Sequence, residues 1–225
     1  MPYQAWNKGL NKSKHAGLVK IASARRKKNN FLKWHKENPV HYEKLERSPD
    51  LAELIGVILG DGHIQAFPRT ERLIITSNSN NPEFVDRYSK LINKLFNKKP
   101  TVLKSRSENS TRISLYQKNI SKRMKIPSGS KKNFNFRAPA WILENEKCLL
   151  GLLRGLFEAE GSLSVHRPSY TYNLQFSNKN KSLLNVVEKG LSKMGFHPEV
   201  RSDVVRIRKK SEVEKFLKIV KFREY

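Results

Sequence analysis

The sequence predicts an α+β fold built twice, as two pseudo-symmetric half-domains each ordered αββαββα. Three observations carry that reading. An apolar run closing on an acid and a glycine occurs twice, as Leu54-Ile55-Gly56-Val57-Ile58-Leu59-Gly60-Asp61-Gly62 and as Leu153-Arg154-Gly155-Leu156-Phe157-Glu158-Ala159-Glu160-Gly161. Matching residues recur about one hundred positions on: Asp61 with Glu160, Pro68 with Pro168, Ser77-Asn78 with Ser177-Asn178, Leu91 with Leu191, Phe96 with Phe196. Hydrophobic periodicity also alternates between helical and strand spacing in the same order in both halves, and one long duplication announces two similar half-domains.

Each element follows from its residues. An apolar helix is expected over Leu51–Gly60 and again over Lys147–Ala159. A hairpin comes next, His63–Phe67 with Arg72–Ser77 and Ser162–His166 with Tyr172–Ser177, its turn carrying Pro68 or Pro168. Phe84, Val85, Tyr88, Leu91, Ile92 and Leu95 at core spacing mark an amphipathic helix over Pro82–Phe96, matched by Lys181–Met194. Second hairpins follow (Val102–Arg106 with Arg112–Tyr116, Glu199–Arg201 with Val204–Arg208), and a short helix closes each half. The polar, turn-rich run Ile126–Pro139, with Ser128-Gly129-Ser130-Lys131-Lys132, reads as the crossing between halves. The expected boundaries are therefore 1–48 for an N-terminal extension, 49–125 for the first half, 126–145 for the linker and 146–225 for the second half.

Charge narrows the function. Forty-five Lys and Arg stand against twenty Asp and Glu, a net charge of +25. Such an excess points to a polyanion as partner, nucleic acid before an anionic membrane surface; an acidic small-molecule enzyme would not need it. With 37% hydrophobic residues the chain is apolar enough to fold. Its one cysteine, Cys148, lies in an apolar run and excludes a disulfide framework and Cys-rich zinc sites. The six histidines form no zinc-ligand grouping. No signal-peptide core and no run near the ~20 apolar residues of a membrane span is present. The expectation is an intracellular protein, cytoplasmic or nucleoid-associated, with an organelle as the alternative.

The charge is uneven: no acid occurs between Met1 and Lys36, while Arg25, Arg26, Lys27 and Lys28 form a basic block. This extension reads either as one or two short helices on a phosphate backbone or as a disordered, solvated arm.

The paired runs carry the chemistry. Gly56 and Gly60, and Gly151, Gly155 and Ala159, lie one helical turn apart on one face, a spacing that lets two helix backbones approach closely. Packed on each other, the two helices direct their negative C-terminal ends to one place, where Asp61 and Glu160 add two carboxylates. That concentration of negative charge is costly without a cation. With the carbonyls of Gly60 and Ala159 it makes an oxygen-rich site suited to Mg²⁺, with Mn²⁺ or Ca²⁺ able to take the same place. The plain alternative is two exposed polar residues before helix-terminating glycines.

The two motifs resemble the paired LAGLIDADG signatures of monomeric homing endonucleases, and the resemblance runs from about Asp50 to Tyr225. It implies a saddle of two antiparallel sheets on duplex DNA, with Asp61 and Glu160 as catalytic acids holding divalent metal. The implied reaction is hydrolysis of one phosphodiester in each strand, leaving 3′ overhangs, by a monomer encoded in an intron or intein-like element. Leu59 stands where the signature's name has its first Asp, outside the catalytic position. A peripheral group that positions water falls, by the same resemblance, near Ser77, Asn78, Ser177, Asn178 and Lys179; the family's lysine has no evident match. Arg69, Arg72, Lys104, Arg106, Arg112, Arg201, Arg206 and Arg208, on or beside the strands, are candidates for contact with DNA bases and phosphates, with Arg25, Arg26, Lys27 and Lys28 of the extension. The run Trp6-Asn7-Lys8-Gly9-Leu10 resembles short DNA-binding modules attached to intron-encoded nucleases. The competing readings are a maturase binding intron RNA on the same scaffold and a DNA-binding regulator that no longer cuts.

Overall fold

The computed structural model describes residues 15–26, 36–37 and 42–224. Lys27, Lys28 and the run Trp6–Leu10 lie outside the described residues. Internal contacts divide the chain between Glu43 and Lys44 into two units. In the first unit a helix, α1 (Ala16–Arg26), holds Arg25 and Arg26.

The second unit contains both halves. The first runs α2 (Pro49–Leu59), β1 (Gly62–Phe67), β2 (Thr70–Asn78), α3 (Pro82–Phe96), β3 (Thr101–Lys104), β4 (Ser110–Gln117) and α4 (Ile120–Met124). After a short helix, α5 (Ala140–Leu143), the order repeats as α6 (Glu146–Glu160), β5 (Gly161–His166), β6 (Thr171–Ser177), α7 (Lys181–Lys193), β7 (Glu199–Arg201), β8 (Val204–Ile207) and α8 (Lys210–Val220). Each half has a four-stranded antiparallel sheet, ordered β1-β2-β4-β3 and β5-β6-β8-β7. This is the αββαββα repeat expected from the sequence.

Caps place the two motif helices. Ser48 Oγ accepts from the Leu51 amide at 3.2 Å and starts α2 two residues earlier than expected. Asn145 Oδ1 accepts from the Cys148 amide at 3.1 Å and starts α6. The helices then meet backbone to backbone. A Cβ added at Gly155 would lie 2.0 Å from the Glu53 carbonyl oxygen, and one at Gly56 would lie 2.5 Å from that of Leu152. Only glycine fits at those two crossings.

Around this pair lies one continuous core. Leu73, Ile75, Ile113 and Leu115 of the first sheet, and Leu174, Phe176, Val205 and Ile207 of the second, are fully buried beneath the helices. Their strand neighbours point to the opposite face, as period-2 alternation requires. Cys148 is a buried core residue. The linker is packed: Ile126 and Phe136 are buried. A buried polar group ties α2 to α3 and α6. Glu53 accepts from Arg87 Nε at 2.7 Å, from Arg87 Nη2 at 2.6 Å and from the Tyr88 hydroxyl at 3.1 Å, with Arg154 Nε 3.5 Å away. Among the described residues, no helix is long and apolar enough to cross a membrane.

Candidate active site

The two motif helices end side by side. Gly60 caps α2, its amide donating to the Gly56 carbonyl at 3.2 Å, and Asp61 follows in the turn. In the second half the acid lies inside the helix: Glu160 is the last residue of α6, and the Gly161 amide donates to the Phe157 carbonyl. A Cβ at Gly60 would sit 2.4 Å from Ala159 Cβ and 3.1 Å from Glu160 Cγ. Gly60 thus lies against the very residues that carry the second acid. Two helix C-termini and two carboxylates share one small region, as the glycine spacing implied.

A cation from the linker meets this region. Lys131 Nζ donates to the carbonyls of Ile58, Leu59 and Gly60, at 2.5, 2.8 and 2.9 Å. It satisfies three carbonyls that the end of α2 leaves without helical partners. Burial lowers the Lys131 ammonium to about 8, against the pull of Asp61 and Glu160. Asp61 rises to about 6, through desolvation first and repulsion from Glu160 second, with Lys131 opposing. Glu160 is also raised by burial, offset by Lys131 and by a hydrogen bond from Asn178. Sequence reasoning read Lys131 only as part of a polar crossing, because its partners lie more than seventy residues away and no periodicity marks it.

The second helix end has a counterpart. Arg223 Nη2 donates to the Gly161 carbonyl at 3.2 Å, and the Arg223 amide donates to Glu158 Oε1 at 2.7 Å. Arg154 Nη2 holds the Glu224 carbonyl at 2.6 Å. Each motif helix is therefore met by a basic residue arriving just after the last helix of its own half. No local pattern in the sequence marks either residue.

The duplicated Ser-Asn pairs fall beside the acids, with unequal roles. Asn178 Nδ2 donates to Glu160 Oε1 at 3.2 Å while its Oδ1 accepts from the Asn180 amide. Asn78 Oδ1 instead accepts from the Asn80 amide at 2.9 Å. Ser77 and Asn78 line a polar cleft of about 950 Å³ with Asp61, Glu158, Ala159 and Arg223. Ser177 is half-buried at the end of β6, and Lys179 is exposed on a separate groove.

The donor set suits a hard divalent cation. Two carboxylates with raised pKa values, whose charges repel, gain from a cation between them. The Gly60 carbonyl already accepts from Lys131, which leaves it one lone pair for a metal. Among the described residues, no three His, Cys, Asp or Glu side chains gather as metal ligands. Water would complete the shell, as Mg²⁺ commonly requires.

The basic candidates divide by face. Arg72 and Arg112 point away from the helices. Arg72 lies over the Tyr116 ring at 5.2 Å and donates to Ser114 Oγ at 2.9 Å, and Arg112 is exposed. Arg201 and Arg206 share the corresponding face of the second sheet, but Arg206 is held by Glu199 at 2.9 and 2.7 Å. Lys104 is opposite Thr111, and so lies on the helix side of its sheet, away from Arg72 and Arg112. Arg69 occupies the β1–β2 turn, Arg106 the β3–β4 loop, and Arg208 the exposed stretch after β8.

Comparison with known proteins fits this architecture. Residues 149–224 match the family model of the WhiA LAGLIDADG-like domain. The homing endonuclease I-DmoI, in its crystal structure with DNA and Mn, superposes with a TM-score of 0.53 at 20% identity, covering 80% of this chain and 99% of that one. The N-terminal LAGLIDADG domain of DUF199/WhiA superposes with a TM-score of 0.52 at 17% identity, covering 80% of this chain and 84% of that one. A glutamine–fructose-6-phosphate aminotransferase from Methanocaldococcus jannaschii is 31% identical over 130 residues, 56% of this chain. The chain spans only 11% of that relative's length. The chain thus carries the LAGLIDADG fold with both motifs in one polypeptide, and its second half matches the WhiA LAGLIDADG-like family model.

Proposed function

We propose that this protein is a site-specific, metal-dependent endonuclease that cuts both strands of duplex DNA, with the homing role that the description of I-DmoI names. One observation carries the reading: Asp61 and Glu160 emerge at abutting helix ends, where two acids serve a metal and cost a mere DNA binder stability. Net charge of +25 supplies the attraction for DNA, and the acids supply the chemistry. Asp61, Glu160 and the Ala159 carbonyl would hold the divalent ion. When bound, that ion supplies Lewis acidity that activates water and stabilises the leaving oxygen.

The chain's own residues set the stage. Asn178 orients the Glu160 carboxylate, so the longer acid presents a fixed oxygen. Lys131 offsets negative charge at the end of α2 and keeps Asp61 less basic than burial and Glu160 alone would make it. Arg223, in the cleft with Asp61, offers a guanidinium to an incoming phosphate. Arg72, Arg112 and Arg201 provide donors to base edges or phosphates along the open sheet faces.

A second reading, DNA binding without cutting, is favoured by Lys131: an ammonium already on the Gly60 carbonyl lets the acid pair persist without metal. Incubation with a randomised duplex library separates the two. Endonuclease activity predicts discrete double-strand products with 3′ overhangs in Mg²⁺ and binding without products in Ca²⁺. Binding without any product in Mg²⁺ would leave only the second reading.

A further inference from the structure

The linker and α7 enclose a groove of about 760 Å³ that the proposed cleavage site does not use. Five cations line it (Lys132, Arg137, Lys179, Lys181 and Lys189), with no acid among its lining residues. Lys181 is paired with Asp203 at 2.8 Å; the other four have no ion-pair partner among the described residues. Five like charges gather here with one paired carboxylate, Asp203, an excess that favours an external polyanion.

The groove is built. Asn180 Nδ2 donates to the Phe134 carbonyl at 2.8 Å, and the Phe136 amide donates to Ser182 Oγ at 2.9 Å, pinning the linker against the start of α7. Buried Phe136 anchors the same segment. The cleft beside the matching helix of the first half is mixed in charge. Where α3 carries Glu83 and Asp86, α7 carries Ser182 and Asn185 at matching positions, and the cleft beside α3 mixes Asp50, Glu83 and Asp86 with Arg87, Lys90 and Lys94. The groove also begins beside the proposed centre, since Lys179 adjoins Asn178, the residue that holds Glu160.

We propose that this groove is a one-sided track for nucleic-acid phosphodiester backbone, separate from the sheet faces and running outward from the Glu160 end of the molecule. Phosphates would meet Lys132, Arg137, Lys179 and Lys189, with half-buried Phe134 on the wall. The backbone can come from duplex DNA flanking a target or from a structured RNA, and the chemistry of recognition is the same.

The test is a salt titration of binding by the full chain without divalent metal, comparing wild type with the K132Q/R137Q/K189Q variant. One probe is long random-sequence duplex DNA and the other random-sequence RNA. Loss of three phosphate contacts should lower the magnitude of the log K against log salt slope by about 2 to 3. A drop confined to duplex identifies flanking DNA, a drop confined to RNA identifies RNA, and a drop for both assigns the track to either backbone. A control triple on the first half, K90Q/K122Q/K125Q, should change the slope less. Unchanged slopes for both probes in a folded variant, or an equal drop in the control, would overturn the proposal. Because no metal is present, failure of the endonuclease reading would leave this result unaffected.

Discussion

Lys131 donates to the carbonyl of Gly60 at 2.9 Å, across 71 positions of chain, and so brings the linker's charge to the residue preceding Asp61. The bond makes the crossing between halves part of the acidic centre.

Removing that charge should expose what it offsets. Lys131→Met leaves three carbonyls at the end of α2 without their shared donor and two acids without their nearest cation. We expect a loss of about 2 kcal/mol in metal-free stability. Ca²⁺ should raise the midpoint of the variant more than that of wild type. Thermal unfolding with and without Ca²⁺ checks both, and an unchanged midpoint contradicts the assigned role.

The acid pair predicts a pH dependence. Asp61 titrates near about 6 in the folded protein, against an ordinary 3.8. The folded state therefore holds this proton more tightly than the unfolded chain. Its contribution to stability is complete below about pH 4 and lost as pH rises through about 6. Asp61→Asn should flatten the metal-free profile in that window and stabilise the protein by about 1 kcal/mol near neutrality, solvent exposure of the side chain limiting the gain. Urea midpoints in chelator across this range test it; a profile identical to wild type contradicts it.

The helix crossing admits little change. Gly155→Ala would place its methyl 2.0 Å from the Glu53 carbonyl oxygen, on backbone that cannot swing aside. We expect destabilisation of about 3 kcal/mol from forced separation of α2 and α6. Chemical denaturation measures this directly, and near-wild-type stability would refute the close crossing.

Glu53 is the polar counterpart of that crossing. Glu53→Met strips the Arg87 fork and the Tyr88 hydroxyl of their acceptor. Breaking one side of such a buried pair costs about 3 to 5 kcal/mol. Arg87→Met on the E53M background should recover much of that loss in a double-mutant cycle. Additive losses would show that the two side chains act independently.

The duplicated frame was legible because it rests on local signals: period-2 strands, period-3.6 helices, caps and glycine spacing, each written twice. Asp61, Glu160 and the paired Ser-Asn positions followed from the same repetition. Contacts that depend on chain crossing were not legible. Lys131 and Arg223 reach the helix ends from segments with no periodicity, and only the folded connection brings them there. Strand register decided others. Lys104 aligns with Thr111 and falls on the helix side, while Arg206 is claimed by Glu199, a pairing set by the β7–β8 hairpin. The placement of Glu160 inside its helix, with Asp61 beyond its own, reflects two further helical residues, Ala159 and Glu160, before the second glycine.

In the proposed function Asp61 and Glu160 cut DNA rather than merely border it. The most direct measurement is cleavage and affinity of Asp61→Asn, beside wild type, on a duplex recovered from the library in Mg²⁺. The expected result is a loss of at least about 1,000-fold in cleavage of both strands, with affinity within about threefold of wild type. Undiminished cleavage, or affinity lost in step with activity, would contradict it.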